Sequence, residues 1–471
     1  MTLVPNPPQR LSGNKLFGFI LICCLLLQAC NTLKPRPIDP DYGQNKDPQE
    51  EANGQTGDPA TSVGVDTVAW TDVPENTPHP GFLEPEEPVV EIGMPKERVL
   101  KERYEVAIML PFFTNRYSGV GETVPTASKL ALEFYEGVKL ALDQLEMQGV
   151  NLTIHVKDTQ ADTLKVKSIL QSPEVYNADL IIGPVTRDNL GIVAEFARNN
   201  GIPLVSPLNP VSISESENPF LIQVNPSKRT HFIELVKFIN QAHANPENVL
   251  IISPAGNAGD QRVAYIEEGH QLQSEDANIE PYKQVSFKLE ERAELLLEGH
   301  LSTLDTTVVI VPSRDEGFVQ YVLRELSLLR KSKKFVVYGM EQWQNFERID
   351  YNYFENLNIR VTSSRHLDFR EESTLAFKRL FFSEYGMIPV DYSSRGYDVM
   401  LYFGKALKDN GVYFPAYLTE TDYDVLHSDF NFVERYLPVE TSTEEELAVK
   451  CFENSHVSIL RFEGYEFVRI R

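Results

Sequence analysis

The chain has 471 residues, with 68 acidic side chains against 44 lysines and arginines and a formal net charge of -24. A chain this acidic lacks the basic face that nucleic-acid binding requires, and anionic lipid would repel it. We therefore expect no nucleic-acid partner and no electrostatic adsorption to membranes.

The first distinctive element is a short apolar run over residues 16–29 that ends at Cys30, with Arg10 and Lys15 before it. The run is shorter than the roughly 20 residues of a membrane-spanning helix and has the pattern of a secretory signal. Its end, LQAC, resembles the bacterial lipobox. The resemblance implies that residues 1–29 are a lipoprotein signal peptide and that Cys30 is lipidated, so that the lipid bilayer is a partner; an ordinary cleaved signal is the alternative.

Residues 30–102 differ in composition from the rest of the chain. Residues 39–102 carry fifteen acidic side chains against four basic ones, and residues 31–100 hold eleven of the thirty prolines. Few large apolar residues accompany them, so this segment cannot bury enough surface to fold alone. We predict a disordered tether that extends the folded part away from the membrane. Partner binding by this acidic arm is the alternative.

Alternating strands and helices begin at Tyr104, which predicts parallel sheets covered by helices. The predicted strands are 104–110, 152–156, 178–182, 202–205, 248–252, 282–287, 307–311 and 334–338. The predicted helices are 127–148, 188–200, 230–242, 261–271 and 317–329. Some 370 residues exceed the usual size of one core, so we expect two domains. The alternating pattern of 457–470 predicts a terminal hairpin that completes the second domain.

Polar loops follow several of these strands: PFFTNRYSG, GPVTRDN, SPLNP, SPAGNAGD and PSRDEG. Ligands of open parallel sheets bind beyond the carboxyl ends of the strands. Hydroxyl and amide groups ahead of helix starts suit an anion such as a carboxylate. The long loop 114–128 is either a lid over this edge or a simple insertion.

The strings ADLIIGPVTRDNLGIVAEFARNNGIPLVSPLNP, NPFLIQVNPS and GYDVMLYFGKAL resemble the type I periplasmic binding proteins, which include the leucine/isoleucine/valine-binding proteins. The resemblance implies an α/β fold of two doubly wound parallel-sheet lobes joined by three crossovers. These are expected near 224–227, 361–365 and 409–413. The amino-terminal lobe would combine residues 103–224 with 364–408, and the carboxyl-terminal lobe residues 225–363 with 409–471.

The same resemblance implies a set of ligand-binding residues. In amino-acid binders of this type, one lobe holds the ligand carboxylate and the other holds the ammonium group. The matching positions are Thr186, Ser206 and Asn209 for the carboxylate. Those for the ammonium are Asp260, Asp315 or Glu316. This chain departs from the family pattern at Pro184 and in having Arg187 and Asp188 after Thr186.

Motifs of catalysis and metal binding are missing from the sequence. The nine histidines are scattered, with no HExxH motif, and no GxSxG elbow of a serine hydrolase occurs. Of the four cysteines, only Cys451 lies outside the signal and the lipobox, so we expect a buried thiol and a fold without disulfides. We predict neither an enzyme nor a cofactor-dependent protein.

Two functional hypotheses follow. The first is a membrane-anchored solute-binding lipoprotein that closes its lobes around a small polar ligand, amino-acid-like or derived from the cell wall, for an ABC permease or a sensor. The second is an envelope interaction protein, such as an activator of a cell-wall synthase. Either would be lipid-anchored in the bacterial envelope and face the periplasm, with Asn31 after the lipidated cysteine compatible with the outer membrane.

Overall fold

The computed structural model describes residues 96–117, 119, 124–208, 218–243, 248–256, 260–274, 279–289, 291, 297–301, 306–368, 370–426, 429–436 and 449–471. The predicted signal peptide, Cys30, most of the predicted tether and Asn209 lie outside these residues. All described residues belong to one compact unit. None of the helices in the described ranges has both the length and the apolar character needed to cross a bilayer.

The strands form two sheets. Those of the first half are β1 Tyr104–Leu110, β2 Leu152–Asp158, β3 Leu180–Ile182, β4 Leu204–Ser206, β5 Leu221–Gln223, β6 Val249–Pro254 and β7 Lys283–Phe287. Those of the second half are β8 Thr306–Ile310, β9 Lys334–Gly339, β10 Ile359–Ser363, β11 Phe432–Tyr436, β12 Val449–Asn454, β13 Ser458–Glu463 and β14 Glu466–Arg469. The first sheet has the order β11-β12-β5-β4-β3-β1-β2, and the second has the order β14-β13-β10-β9-β8-β6-β7.

Helices flank both sheets. They are α1 Lys129–Met147, α2 Thr163–Leu170, α3 Pro173–Tyr176, α4 Arg187–Asn200, α5 Lys228–Ala242, α6 Gln261–Leu272, α7 Glu316–Leu329, α8 Tyr351–Asn356, α9 Glu372–Tyr385 and α10 Asp391–Asn410. Every strand and helix predicted between Tyr104 and Tyr338 is present, with ends shifted by one or two residues. Each lobe therefore has the α/β architecture expected from the alternating pattern.

Separate apolar cores stabilise the two lobes. In the first lobe, α1, α9 and α10 pack on one face of the sheet, and α2 and α4 pack on the other. In the second lobe, residues of α5, α7 and the central strands form a continuous buried cluster. Burial of apolar surface at about 25 cal/mol per Å² makes these cores the main source of stability.

The sheets are mixed rather than purely parallel. Strands β1 to β5 pair in parallel, as do β6 to β10, but β11 is antiparallel to β12 and β13 is antiparallel to both β10 and β14. The predicted terminal hairpin is confirmed: β13 and β14 turn at Gly464 and Tyr465. It pairs with the second sheet through β10.

The route of the tail differs from our expectation. Residues 409–471 were all expected in the second lobe, with a crossover near 409–413, but β11 and β12 belong to the first sheet, and β12 pairs in parallel with β5. The chain therefore crosses to the second lobe after Asn454. The physical reason is apolar packing: Phe430 and Phe432 contact the ring of Tyr402 on α10. The crossings after β5 and after β10 agree with those expected near 224–227 and 361–365.

Candidate functional site

Two neighbouring cavities lie where strands of both lobes end. The larger has a volume of about 660 Å³ and the smaller of about 230 Å³, and Glu341, Gln342 and Arg395 line both. Glu341 and Gln342 follow β9 in the second lobe, whereas Arg395 lies on α10 in the first. The cavities are thus bounded by both lobes, at the sheet edge where ligands of α/β proteins bind.

Glu341 is held in its charged form. Its Oε1 accepts hydrogen bonds from the Ser364 amide (2.9 Å) and hydroxyl (2.7 Å), just beyond β10. Burial would raise the pKa of Glu341, but the nearby His231, the Ser364 hydrogen bonds and the charge of Arg395 together lower it. Glu341 is therefore already paired within the protein.

Two arginines share one aspartate at the wall between the cavities. Arg365 and Arg395 both form ion pairs with Asp391, the first residue of α10, and the Arg395 pair has an Nε to Oδ2 distance of 3.3 Å. Burial, followed by the repulsion of Arg395, lowers the pKa of Arg365 to about 9. The charged Glu341 also acts on both arginines, so two guanidinium groups stand against two carboxylates at this wall.

The smaller cavity combines basic and apolar groups. Lys228 and His231, from the first turn of α5, line it together with Phe232 and Met340. Burial lowers the pKa of His231, and the carboxylates of Glu341 and Glu453 act against this shift. The buried Oε1 of Gln342 has no hydrogen-bond partner in the described part of the chain and is free to accept one.

The ligand residues predicted for the first lobe lie apart from these cavities. Thr186 is the N-cap residue of α4, and its buried hydroxyl makes no hydrogen bond with the described residues. Asn189, one turn further, is fully buried and equally unpaired. Ser206 is buried at the end of β4. Thr186, Asn189 and Ser206 line neither cavity.

The acids predicted for the second lobe are engaged locally. Asp260 accepts hydrogen bonds from the amide and the guanidinium of Arg262, at 2.7 to 3.0 Å. Asp315 caps α7 by accepting a bond of 2.8 Å from the Phe318 amide, and Glu316 accepts one of 2.6 Å from the backbone amide of Arg348. These bonds give each carboxylate a structural role, and none of the three lines either cavity.

Sequence reasoning did not identify Glu341, Arg365, Asp391 and Arg395. A signal was present on α10, where Asp391 and Arg395 are spaced by four residues and so lie on one face of a helix that is otherwise strongly buried. The signal for Arg365 was its place at the end of an expected crossover. Glu341 had no signal, because only the tertiary structure brings the end of β9 beside Ser364.

The loop 114–128 is held at its start to the neighbouring strand. The carboxylate of Asp158, the last residue of β2, accepts bonds from the Thr114 amide (2.8 Å) and hydroxyl (2.7 Å). A surface groove of about 480 Å³ lies beside this anchor and is lined mainly by apolar and aromatic side chains, among them Phe112, Val124 and Tyr135.

Comparison with known proteins identifies the fold. A model of the family described as receptor family ligand binding region matches residues 134–411, more than half of the chain. A Rhodospirillum rubrum protein described as a branched-chain amino acid ABC transporter is 13% identical, with a TM-score of 0.55 over 78% of this chain and 99% of its own. A branched-chain amino acid ABC transporter periplasmic ligand-binding protein of Burkholderia xenovorans LB400 is 13% identical, with a TM-score of 0.52 over 78% and 94%.

LpoA of Haemophilus influenzae is also similar, at 12% identity and a TM-score of 0.50, over 79% of this chain and 59% of that one. No curated protein matches the chain in sequence. At these identities the structural likenesses show the fold alone, which is that of the type I periplasmic binding proteins.

Proposed function

Because this chain belongs to the family of the receptor ligand binding region, we propose that it is a membrane-anchored solute-binding lipoprotein of the bacterial envelope. Its two lobes close by hinge motion around a small polar ligand, amino-acid-like or derived from the cell wall. The closed form is then recognised by an ABC permease or a sensor.

One observation carries this proposal: the two cavities are bounded by both lobes and lie beside the segments that connect them. Asn225 and Pro226, between β5 and α5, line the smaller cavity. Arg365 and His366, after β10, line the larger. A rotation about these segments changes the volume of both cavities, so occupancy by a ligand would favour one arrangement of the lobes.

Support for a small polar ligand comes from the cavity walls. They carry Gln342 with an unpaired acceptor oxygen, Arg395 and Lys228 next to apolar Phe232 and Met340. A few placed polar groups in a partly apolar cavity are typical of small-molecule sites. The Burkholderia relative, described as a ligand-binding protein of a branched-chain amino acid transporter, motivates the amino-acid-like class and the permease.

A ligand screen of the full-length protein by thermal shift tests the proposal. The panel contains amino acids, short peptides, sugars and peptidoglycan fragments, and a ligand at 100 times its dissociation constant stabilises the fold by about 2.7 kcal/mol. Gln342→Ala removes the free acceptor of the cavities, and Thr186→Ala removes the unpaired hydroxyl of the family-derived site. Gln171→Ala, at an exposed position, is the control. If Gln342→Ala or Thr186→Ala abolishes the rise in Tm on ligand addition and Gln171→Ala does not, the ligand binds at the substituted residue.

The competing proposal is an activator of a cell-wall synthase. It predicts the opposite screening result: no shift with any small molecule from a protein that melts cooperatively. In that case crosslinking in cells, followed by isolation of the crosslinked protein, identifies the partner. A saturable shift that depends on Gln342 or Thr186 would overturn this alternative.

The lipid anchor at Cys30 is tested separately. Metabolic labelling with a palmitate analogue should label the wild-type chain, and Cys30→Ser should abolish both the label and recovery in the membrane fraction. Cys451→Ser is the matched control and should keep both, because Cys451 lies in β12 with its side chain buried. A labelled Cys30→Ser chain would contradict the anchor.

A further inference from the structure

A short helix in the wall of the larger cavity carries three carboxamide side chains. The 3₁₀ helix Glu341–Asn345 follows β9, and Gln342, Gln344 and Asn345 line the cavity. Trp343, between them, packs instead in the apolar core of the second lobe, where its Nε1 donates a bond of 2.9 Å to a backbone carbonyl. The buried indole anchors this helix, so the carboxamides are held at the cavity wall.

These carboxamides retain hydrogen-bonding capacity. The buried Oε1 of Gln342 has no partner in the described part of the chain. The Nε2 of Gln344 donates to the Glu341 carbonyl and to the Ser363 hydroxyl, both at 3.3 Å. Asn345 is exposed at the cavity and adds a further donor and acceptor. A buried acceptor without a partner is unfavourable, so a ligand that donates to Gln342 removes that cost.

The arginines of the larger cavity already have carboxylate partners. Arg365 and Arg395 form ion pairs with Asp391. Arg370 forms an ion pair with Glu466, the first residue of β14. An anionic ligand would compete with these carboxylates for the guanidinium groups and would be repelled by them. The arginines therefore neutralise groups of the protein itself.

The other carboxylates of this cavity are also paired. Glu341 accepts two bonds from Ser364, and Oδ1 of Asp368 accepts one of 2.8 Å from the Arg370 amide. Burial lowers the pKa of His366, and the charge of Asp368 opposes this shift only in part. Three arginines and four carboxylates line the cavity, so their charges nearly cancel. No strong field of one sign favours an ionic ligand there.

We propose that the larger cavity binds an uncharged ligand that carries secondary amide groups, with Gln342, Gln344 and Asn345 as the residues that recognise them. This inference rests on the proposed solute-binding function and narrows its ligand class. A secondary amide has one N–H donor and one carbonyl acceptor. It can donate to Oε1 of Gln342 while it accepts from the NH₂ group of a carboxamide. Peptide units and N-acetylated sugars both present this chemistry.

The size and the apolar part of the cavity suit such a ligand. Its volume of about 660 Å³ lies within the range of about 300–1,000 Å³ that is typical of small-molecule sites. Phe467 of β14 lines the same cavity and is partly buried against the core of the second lobe. Its ring offers an apolar surface to the carbon skeleton of the ligand, while the carboxamides contact the polar groups.

Two matched pairs of probes test the ligand class with the full-length protein. N,N′-diacetylchitobiose and cellobiose differ in acetamido groups, whereas N-acetyl-dialanine amide and free dialanine differ in terminal charges. We expect a saturable rise in Tm with diacetylchitobiose if an N-acetylated sugar is recognised, or with the capped dipeptide if a peptide unit is, and a smaller rise with the other member of that pair. Equal rises within both pairs, or a rise with L-leucine alone, would overturn the amide ligand and leave the solute-binding function intact. No rise with any probe, in this set or in the wider screen, would overturn both.

Ionic strength provides an independent test. An uncharged ligand displaces no ion pair, so its affinity should change less than about twofold between about 50 and 500 mM sodium chloride. A tenfold loss of affinity over the same range would show that charge is recognised and would overturn the proposal.

Substitutions separate ligand recognition from a structural role. Gln342→Met and Asn345→Ala should each weaken the affinity about threefold to tenfold, as expected for the loss of one hydrogen bond. Gln342→Met should not lower the Tm of the unliganded protein, because it removes a buried acceptor that has no partner. Gln271→Ala, at an exposed carboxamide of α6, should change neither quantity. Unchanged affinity in both cavity variants would overturn the proposed site. Asn345 is exposed, so its substitution tests binding even where Gln342→Met disturbs the fold.

Discussion

The carboxylate of Glu453 accepts a hydrogen bond of 2.6 Å from the backbone amide of Ser227. Glu453 lies on β12 in the first sheet, and Ser227 is the N-cap residue of α5 in the second lobe. Glu453 also accepts bonds of 2.6 Å from the Thr230 hydroxyl and from Nε of Arg435. This buried carboxylate therefore joins the two lobes at the first crossing.

Replacement of Glu453 by alanine should lower the free energy of unfolding by about 3 kcal/mol, because it leaves Arg435 and the first turn of α5 without their partner. Urea denaturation measures this change. Glu384→Ala, which removes an exposed glutamate, should alter stability by less than about 0.5 kcal/mol. Equal effects of the two substitutions would show that Glu453 does not stabilise the crossing.

The same carboxylate should make stability depend on pH. Burial would raise the pKa of Glu453, but the charge of Arg435 and the hydrogen bonds from Thr230 and Ser227 outweigh it and lower the pKa. Its contribution is then fully present above the unfolded pKa of about 4.3 and is lost as the pH falls through the lower folded pKa.

Urea denaturation of the wild type and of Glu453→Gln between pH 3 and 7 measures this dependence. The stability difference between them should be largest near neutral pH and should shrink in acid. A difference that grows as the pH falls would contradict the assigned direction of the pKa shift.

Two glycines allow close contact between α1 and α10. A β-carbon at Gly137 would overlap the Ser393 carbonyl oxygen, and one at Gly396 would overlap that of Phe134. Gly396→Ala should therefore lower the free energy of unfolding by about 1 to 3 kcal/mol, which is the usual cost of overpacking a core. Because Arg395 is adjacent, the variant should also weaken ligand binding.

Gly191 provides the matched control, since it lies inside α4 and a β-carbon there would meet no atom. Gly191→Ala should stabilise the protein by about 0.5 to 1 kcal/mol through helix propensity. Thermal denaturation compares the two variants. If Gly396→Ala were as stable as Gly191→Ala, then α1 and α10 would not be in close contact at Gly396.

The indole of Trp343 supports the segment that carries Glu341 and Gln342. Its Nε1 donates a bond of 2.9 Å to the Ser313 carbonyl, and the side chain is fully buried. Trp343→Phe leaves that carbonyl unpaired, which should lower stability by about 1 to 3 kcal/mol. Calorimetry measures the loss, and Phe382→Leu, at a largely exposed aromatic, should show almost none. A loss confined to Phe382→Leu would refute this role.

The candidate site was less predictable than the fold. Thr186 and Asp260 follow strands at the expected edge, but the pairing of Asp260 with Arg262 depends on side-chain geometry that no sequence pattern reports. Glu341 and Ser364 are 23 residues apart and meet only because β9 and β10 are adjacent. Polar contacts between distant segments carry no periodicity and so left no sequence signal.

By itself, the sequence determined most strands and helices between Tyr104 and Tyr338 and the terminal hairpin, because apolar periodicity and turn residues act locally along the chain. Only the tertiary structure decided the route of the tail, where Phe432 packs against α10 instead of in the second lobe. It also decided which polar groups meet: Glu453 and Ser227 belong to different lobes and share a hydrogen bond. Side chains far apart in sequence interact through the arrangement of the sheets, which periodicity does not encode.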